Sequence, residues 1–232
     1  MRRRPRAAAP DALLEQGARA LGVRLTGEQV DRFRTYRDEL LRWAARMNLT
    51  ALRSPEAVVR DGFLDALTCE RMIGPQVRRV LDLGSGAGFP GIPLALVRSE
   101  IVFTLIEASR KKVSFLRHIV RRLELANVTV VPGRAEALEG GASLGGAFDL
   151  ALARAVAPPT VQARLVRPYL GPGGTFLLQS GEHPLPPEAL EGICGEGFVL
   201  EREILVPATP EIAGRRLLVW RRAAEGAAGR FT

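Results

Sequence analysis

The chain has 232 residues, of which 47% are hydrophobic and 25% charged, a composition typical of a soluble globular protein. No apolar run approaches the roughly 18 residues that a membrane-spanning helix needs, and the basic start leads into no apolar signal core. The formal net charge is +8, and Lys111 and Lys112 are the only lysines among the basic residues. We therefore expect a cytoplasmic protein with no membrane partner, and the arginines favour a polyanionic partner such as a nucleic acid.

The cysteines and histidines show no spacing in the sequence that is typical of a metal site. Cys69 and Cys194 lie far apart, in no metal-ligand spacing, and are expected to be reduced, partly buried thiols. His118 and His183 form no cluster, so we expect no metal.

The chain before residue 76 has a helical pattern. Thr26-Gly27-Glu28-Gln29 is a capping-box signature, and apolar residues recur after it at helical spacing. A further helix begins at Ser54-Pro55, with proline in its first turn, and ends before Gly74. We therefore predict a disordered basic arm over residues 1–10 and a helical subdomain over residues 11–75.

From residue 76 to residue 223 strands alternate with helices. Strands are predicted over residues 79–83, 101–106, 128–131, 148–153, 175–179, 199–205 and 216–221. Helices are predicted over residues 92–97, 109–124, 159–170 and 187–194. This order predicts an α/β fold with a mostly parallel sheet covered on both faces. The last two strands, joined by a loop, predict an antiparallel edge, and residues 224–232 form a tail.

A glycine-rich turn follows the first predicted strand. Residues 82–91 read Asp-Leu-Gly-Ser-Gly-Ala-Gly-Phe-Pro-Gly, so that Gly84, Gly86 and Gly88 alternate with other residues. Glycine permits a positive φ and lets a ligand approach the backbone where a Cβ would collide. The helix that starts near Gly91 adds free N–H groups that favour a polar or electronegative ligand. The turn therefore predicts a site for an adenosine-containing cofactor.

Residues at the ends of three later strands are candidates for the same site. Glu107 ends the second strand, 23 residues after Gly84, where a carboxylate can accept hydrogen bonds from both hydroxyls of a ribose. Ala135 and Glu136 follow the third strand, where backbone and carboxylate could hold an adenine; Glu136 could equally begin a helix, as an acid that matches the helix dipole. Arg154 ends the fourth, apolar strand, and because an unpaired buried cation is costly it should face a cofactor carboxylate or a phosphate.

Five segments occur in the order found in one known family. They are residues 48–51, 82–94, 110–116, 133–136 and 153–156. Together they resemble the ribosomal RNA small subunit methyltransferase G family from about residue 36 to residue 181. The Gly-Phe-Pro-Gly continuation of the turn, followed by the Arg-Lys-Lys run, is specific within the larger methyltransferase class.

The resemblance implies both a fold and an activity. The fold is a Rossmann-like, seven-stranded class I methyltransferase sheet with an antiparallel edge strand, preceded by a small helical N-terminal subdomain. The activity is methylation of N7 of a guanosine in small-subunit (16S) ribosomal RNA, with S-adenosylmethionine as the cofactor. The partner is then small-subunit rRNA or the assembled 30S subunit. We also expect a monomer with no DNA partner.

The glycine turn and the resemblance together assign the site residues. The cofactor pocket is expected to include Gly84, Ser85, Gly86, Gly88, Phe89, Glu107, Ala108, Ser109, Ala135, Glu136 and Arg154. Arg154 is also the candidate catalytic residue. Arg110, Lys111 and Lys112 are expected to contact RNA, since cations at a helix N-terminus oppose the helix dipole unless an anion is present. The alternative for these three cations is a solvated helix face.

Several departures from the family pattern leave other functions open. Gly62 stands where the family usually has histidine, Asp65-Ala66-Leu67 where it has Asp-Ser-Leu, and Ser180 where it has a lysine before glycine. One alternative is therefore a catalytically impaired relative that binds cofactor or RNA. A small-molecule methyltransferase is another, and would need an apolar pocket over the cofactor instead of an arginine-rich approach. A nicotinamide-dependent oxidoreductase is disfavoured because no substrate domain follows the sheet.

Overall fold

The structure, a computed structural model, describes residues 9–138, 144–154 and 157–224. Residues 1–8 of the predicted basic arm and residues 225–232 of the predicted tail lie outside the described residues. Within the described ranges, no helix is both long enough and apolar enough to span a membrane.

Helices precede the sheet and then alternate with its strands. The helices are α1 (Pro10–Ala20), α2 (Gly27–Ala44), α3 (Pro55–Ala57), α4 (Asp65–Leu67), α5 (Gly91–Val97), α6 (Arg110–Arg122), α7 (Ala135–Leu138), α8 (Pro159–Val166) and α9 (Pro187–Gly195). A π-helical segment, Val58–Leu64, joins α3 to α4, and 3₁₀ helices follow α4 (Thr68–Met72) and α8 (Arg167–Tyr169). The strands are β1 (Arg79–Leu83), β2 (Val102–Glu107), β3 (Val128–Pro132), β4 (Phe148–Ala153), β5 (Leu170–Ser180), β6 (Phe198–Val206) and β7 (Arg215–Arg222).

The seven strands form one sheet in the order β3-β2-β1-β4-β5-β7-β6. The first five strands pair in parallel, and β7 pairs antiparallel with both β5 and β6. The α/β fold with a Rossmann-like sheet and an antiparallel edge is therefore confirmed. The chain leaves β1 toward β2 and β3, then returns to the other side of β1 for β4. Ligands bind at such a switch point, at the carboxyl ends of the strands.

Alternating side chains along the strands build a core on each face of the sheet. Val80 of β1 packs with the helices that precede the sheet and with α5 and α6. The next residue, Leu81, points to the opposite face and packs with α8 and α9. The helices before β1 therefore share one core with the sheet, and this places α2 and α4 beside the loops at its carboxyl edge.

Local sequence explains most helix bounds. The predicted capping box of α2 is confirmed, because Thr26 Oγ1 accepts from the Gln29 N–H and the Gln29 side chain accepts from the Thr26 N–H. The helix predicted over residues 159–170 ends earlier, at Val166, and β5 begins at Leu170. Residues 167–169 continue as a 3₁₀ helix, with Arg167 still in helical backbone, and Pro168 has no N–H to donate to a further α-helical hydrogen bond.

Candidate functional site

The glycine turn between β1 and α5 uses its glycines for two different reasons. Gly86 has a φ of 62°, a left-handed conformation, and a Cβ there would meet the Gly84 carbonyl oxygen only at 3.8 Å, an ordinary van der Waals distance. Gly88 has a φ of 100°, and a Cβ there would lie 2.6 Å from both the Tyr36 hydroxyl and Ile92 Cδ1. Gly86 therefore gives the turn a backbone conformation that other residues rarely adopt, and Gly88 allows the turn to pack directly against the core.

Glu107, at the carboxyl end of β2, holds the turn in place. Its Oε2 accepts a hydrogen bond of 2.9 Å from the Gly86 N–H, and its Oε1 accepts one of 2.7 Å from the Ser109 N–H. The carboxylate is buried, with 7% of the residue exposed. Each carboxylate oxygen has a second lone-pair position, so Glu107 can accept further hydrogen bonds from hydroxyl groups.

Aromatic side chains support the turn from beneath. The Tyr36 ring of α2 stacks on Phe89, with centroids 5.6 Å apart, and lies 5.1 Å from Phe63. The Tyr36 hydroxyl donates to the Ala87 carbonyl oxygen. Burial raises the pKa of Tyr36 well above its ordinary value of 10.0, so the phenol stays protonated and keeps donating.

Asp82 lies beneath the turn and is a buried carboxyl group. Its Oδ2 accepts a 2.9 Å hydrogen bond from the Gly91 N–H, the first residue of α5, while Oδ1 has no hydrogen-bond partner among the described residues. Burial raises the pKa of Asp82 from 3.8 to about 6, against the opposing effects of the Gly91 hydrogen bond and of Arg154. A side chain on Gly91 would collide with Asp82 Oδ2 at 2.6 Å.

The turn opens onto a cavity of about 550 Å³ at the switch point of the sheet, here called the first cavity. The structure brings to it most of the residues that the sequence predicts for the cofactor pocket. These are Gly84, Ser85, Gly86, Phe89, Glu107, Ala108, Ala135, Glu136 and Arg154. Lys112, expected to contact RNA, also lines this cavity. Their gathering follows from the parallel sheet, which brings the ends of β1, β2, β3 and β4 to one edge.

Four predicted site residues do not line the first cavity. Gly88 packs downward on Tyr36, and Ser109 acts through its backbone N–H on Glu107. Arg110 and Lys111 are exposed at the start of α6. A helical turn points successive side chains in different directions, which is why only Lys112 of the three neighbouring cations reaches the cavity.

Arg154, at the end of β4, is paired with a carboxylate of the protein. Its Nη1 lies 2.5 Å from Oδ2 of Asp65, a buried residue of α4. Asp65 Oδ1 lies 2.5 Å from Nε of Arg215, the first residue of β7. The Arg154 guanidinium also lies 5.3 Å from the centre of the Phe89 ring. The sequence predicts a ligand anion as the partner of Arg154; the structure provides Asp65, because the cation must be balanced in the folded chain itself.

Sequence reasoning missed the residues that the helical region contributes. Leu49 and Thr50 line the first cavity, but in the sequence they stand out only as part of a segment that resembles the family. Gly62, which stands in place of a family histidine, allows close packing: a Cβ there would lie 2.8 Å from the Phe89 ring. The proximity of Asp65 to Arg154 has no signal in the sequence, because the two lie 89 positions apart.

The comparisons with known proteins agree with one another. The model of the family described as rRNA small subunit methyltransferase G matches residues 29–189. The protein of that name from Caldanaerobacter subterraneus is 41% identical over 172 residues, covering 73% of this chain and 71% of the relative. The one from Alkaliphilus oremlandii is 34% identical over 190 residues, covering 79% of this chain and 80% of the relative.

Solved structures show the same fold at low sequence identity. A SAM-dependent methyltransferase from Aquifex aeolicus superimposes with a TM-score of 0.53 at 18% identity, covering 73% of this chain and 94% of that one. The [4+2]-cyclase SpnF superimposes with a TM-score of 0.54 at 19% identity, covering 69% and 80%. A methyltransferase and a cyclase share this fold, so the fold alone does not decide the activity. The matched sequence does identify the family: the chain belongs to the rRNA small subunit methyltransferase G family.

Proposed function

We propose that this protein transfers a methyl group from S-adenosylmethionine to N7 of a guanosine in 16S ribosomal RNA. One observation carries the proposal: the glycine turn and Glu107 adjoin a cavity at the switch point, in a chain that belongs to an rRNA methyltransferase family. The substrate is naked rRNA or the assembled 30S subunit, and the protein acts as a cytoplasmic monomer.

The residues of the first cavity fit the proposed cofactor. Its volume of about 550 Å³ is within the ordinary range for small-molecule sites. The buried carboxylate of Glu107 can accept from two ribose hydroxyls. Ile106, Ala135 and Leu165 supply apolar surface for an adenine, and the Gly86 backbone leaves room for close approach. Arg154 and Lys112 supply cations beside it.

The chemistry requires alignment more than proton transfer. When bound, S-adenosylmethionine supplies a methyl group on a positively charged sulfur. Guanine N7 has a lone pair and no proton, so the protein needs no general base to activate it. Phe89 and Arg154 therefore act by orienting the reacting groups and excluding water, and such positioning is a large source of rate enhancement.

The exposed cations on the outer face of α6 favour RNA as the substrate. Arg110, Lys111, Arg117, Arg121 and Arg122 are all exposed there, and the helix contains no acidic residue. In the described part of the chain, none of these cations has a carboxylate within 4.0 Å. Unpaired cations at one face favour phosphate contacts and counterion release. Lys112 connects this face to the first cavity.

Transfer of labelled methyl groups tests the proposal. The protein is incubated with methyl-labelled S-adenosylmethionine and either naked 16S rRNA or 30S subunits from cells that lack the protein. We expect label in rRNA, found as 7-methylguanosine when the digested RNA is analysed by mass spectrometry. The Gly86→Val variant, which forces a β-branched residue to a φ of 62°, serves as the cofactor-deficient control. Label in neither RNA, or on a different atom of the base, contradicts the proposal.

A further inference from the structure

A second cavity, of about 580 Å³, adjoins the first at the carboxyl ends of β4 and β5. Its charged lining residues are Asp65, Arg154 and Arg215. Arg154 also lines the first cavity, so its side chain forms part of the wall between the two. A group bound in the second cavity would therefore lie next to the proposed methyl donor site.

The single carboxylate of Asp65 lies between two arginines and balances the charge of only one. Its Oδ2 lies 2.5 Å from Nη1 of Arg154, and its Oδ1 lies 2.5 Å from Nε of Arg215. Both carboxylate oxygens are thus engaged, and the side chain is only 7% exposed. Glu182, which lies beside Gly214, forms no ion pair with either cation in the described part of the chain. Two cations and one anion therefore leave the wall of the second cavity with one excess positive charge.

Both guanidinium groups keep accessible donors. Arg154 donates from Nη1 to Asp65 and to the Asp61 carbonyl oxygen. Arg215 donates from Nε to Asp65 and from Nη1 to the Gly214 carbonyl oxygen. Nη2 of each arginine has no acceptor among the described residues, neither Nη2 is buried, and each side chain is 25% exposed. Because a guanidinium carries five N–H donors, both arginines can still bind an oxyanion.

The end of β5 leaves this cavity open beside the two cations. Ser180, the last residue of β5, lines the second cavity but not the first, and its neighbour in the sheet is Arg216, next to Arg215. Its hydroxyl makes no hydrogen bond within the described ranges and is a further donor. Gly181 follows it, and a Cβ added there would meet no atom within 4 Å. The cavity therefore has room for a ligand oxygen beside Ser180.

We propose that the second cavity binds a phosphate group of the rRNA backbone, next to the guanosine that is methylated. This inference rests on the proposed function, which supplies the RNA. A backbone phosphate carries one negative charge and only acceptor oxygens, which match the excess positive charge and the Nη2 donors of Arg154 and Arg215. Asp65 holds the two cations in position. Phosphate contacts fix the register of a nucleic acid without reading its bases, so this cavity positions the target nucleotide at the first cavity.

A series of charges at Ser180 tests this inference and leaves Asp65 and both arginines in place. The variants are Ser180→Lys, Ser180→Gln and Ser180→Glu. We expect the KM for rRNA in methyl transfer to be lowest with lysine and highest with glutamate, about tenfold apart, because the charge beside the phosphate changes by two units. The affinity for S-adenosylhomocysteine, measured by calorimetry, should stay within about twofold, because Ser180 does not line the first cavity.

The matched control is the same series at Thr175. This residue lies in the same strand, toward its other end, is half-buried like Ser180 and lines neither cavity. The control measures how much any change of net charge alters the attraction to RNA. We expect the KM for rRNA to vary by less than about twofold across the Thr175 series, because exposed charges beyond a Debye length are screened.

Removing one cation tests the phosphate contact itself. Arg215→Met should raise the KM for rRNA and reduce the slope of log K for rRNA against log salt by about 0.7–0.9 in magnitude, the value for one phosphate contact. The control is Arg216→Met, at the next residue, whose guanidinium pairs with Glu203 and lines neither cavity. A lower melting temperature with an unchanged slope and KM would show that Arg215 only balances Asp65, and would contradict the proposal.

The outcomes separate this inference from the proposed function. If the parent protein methylates no rRNA, the proposed function fails and the inference fails with it. If the parent protein is active and the KM for rRNA is the same across the Ser180 series, only the inference is wrong. It is also wrong if the affinity for S-adenosylhomocysteine follows the charge at Ser180, because the anion in the second cavity would then be the carboxylate of the cofactor.

Discussion

The hydroxyl of Tyr36 donates a hydrogen bond of 2.6 Å to the carbonyl oxygen of Ala87, across 51 positions of sequence. This bond joins α2 to the middle of the glycine turn, and the tyrosine ring is fully buried. The helical region before the sheet therefore supports the turn directly. We therefore expect the stability of the helical region and the shape of the first cavity to be coupled through this contact.

Tyr36→Phe removes the hydroxyl and keeps the ring. The Ala87 carbonyl is left buried without its donor, so we expect the free energy of unfolding to fall by about 1–3 kcal/mol. We also expect weaker binding of S-adenosylhomocysteine, because the turn loses a support. Denaturant unfolding and calorimetry measure the two effects. The control is Thr35→Ala on the same helix, whose hydroxyl donates to the Asp31 carbonyl; equal losses in both variants would contradict the coupling.

Glu107→Gln tests the carboxylate that holds the turn. Glu107 accepts from two backbone N–H groups, and an amide would direct its own NH2 at one of them. We expect the affinity for S-adenosylhomocysteine to fall at least tenfold, or about 1.4 kcal/mol of binding free energy. Glu188→Gln, at an exposed position on α9, is the matched control. Unchanged affinity in Glu107→Gln would show that this carboxylate does not bind the cofactor.

Asp82 makes stability depend on pH. Because burial raises its pKa to about 6 from 3.8, the folded protein holds this proton more tightly than the unfolded chain does. The stabilisation is therefore fully present below pH 4 and is lost as the pH rises through about 6. The full effect is on the order of 3 kcal/mol, from about 1.4 kcal/mol per pH unit.

Asp82→Asn removes this titration and keeps an acceptor for the Gly91 N–H. We expect the variant to match the parent near pH 4 and to become relatively more stable between pH 4 and pH 7. Urea unfolding across that range measures the difference. A difference that does not change with pH would contradict a raised pKa for Asp82.

The two cysteines should differ in reactivity. Cys69 is buried, and burial raises its pKa to about 12, so almost none of the reactive thiolate is present at pH 8. Cys194 is half-buried on α9. We expect iodoacetamide to modify Cys194 in the folded protein and to reach Cys69 only after unfolding, as peptide mass spectrometry would show. Modification of Cys69 at the rate of a free thiol would be inconsistent with this burial.

The outer face of α6 should determine the salt dependence of RNA binding. Lys111→Ala combined with Arg121→Ala removes two exposed cations. If both contact phosphates, the slope of log K against log salt should decrease in magnitude by about 1.4–1.8. Arg164→Ala is the control, since its guanidinium is paired with Glu196 at 2.8 Å. An unchanged slope in the double variant would assign α6 to a solvated face.

Local sequence patterns predict most of the helices and strands, and several of the residues that line the first cavity. The glycine turn and Glu107 could be placed because each follows a recognisable strand, and parallel strands end at one edge. The π-helical segment Val58–Leu64 was not predicted, because its apolar spacing is close to that of an ordinary helix. The sequence pattern also predicts too late an end for α8, although Pro168 lies within the predicted range.

The order of strands and helices, the glycine turn and the membership of the family could all be predicted from the amino-acid sequence. Hydrophobic periodicity and glycine conformation are local properties, and the chain carries them at adjacent positions. The partner of Arg154, in contrast, is known only from the packing of the folded chain. Asp65 lies 89 positions before it and Arg215 lies 150 positions after Asp65, so their contact depends on where α4 packs beside β4 and β7.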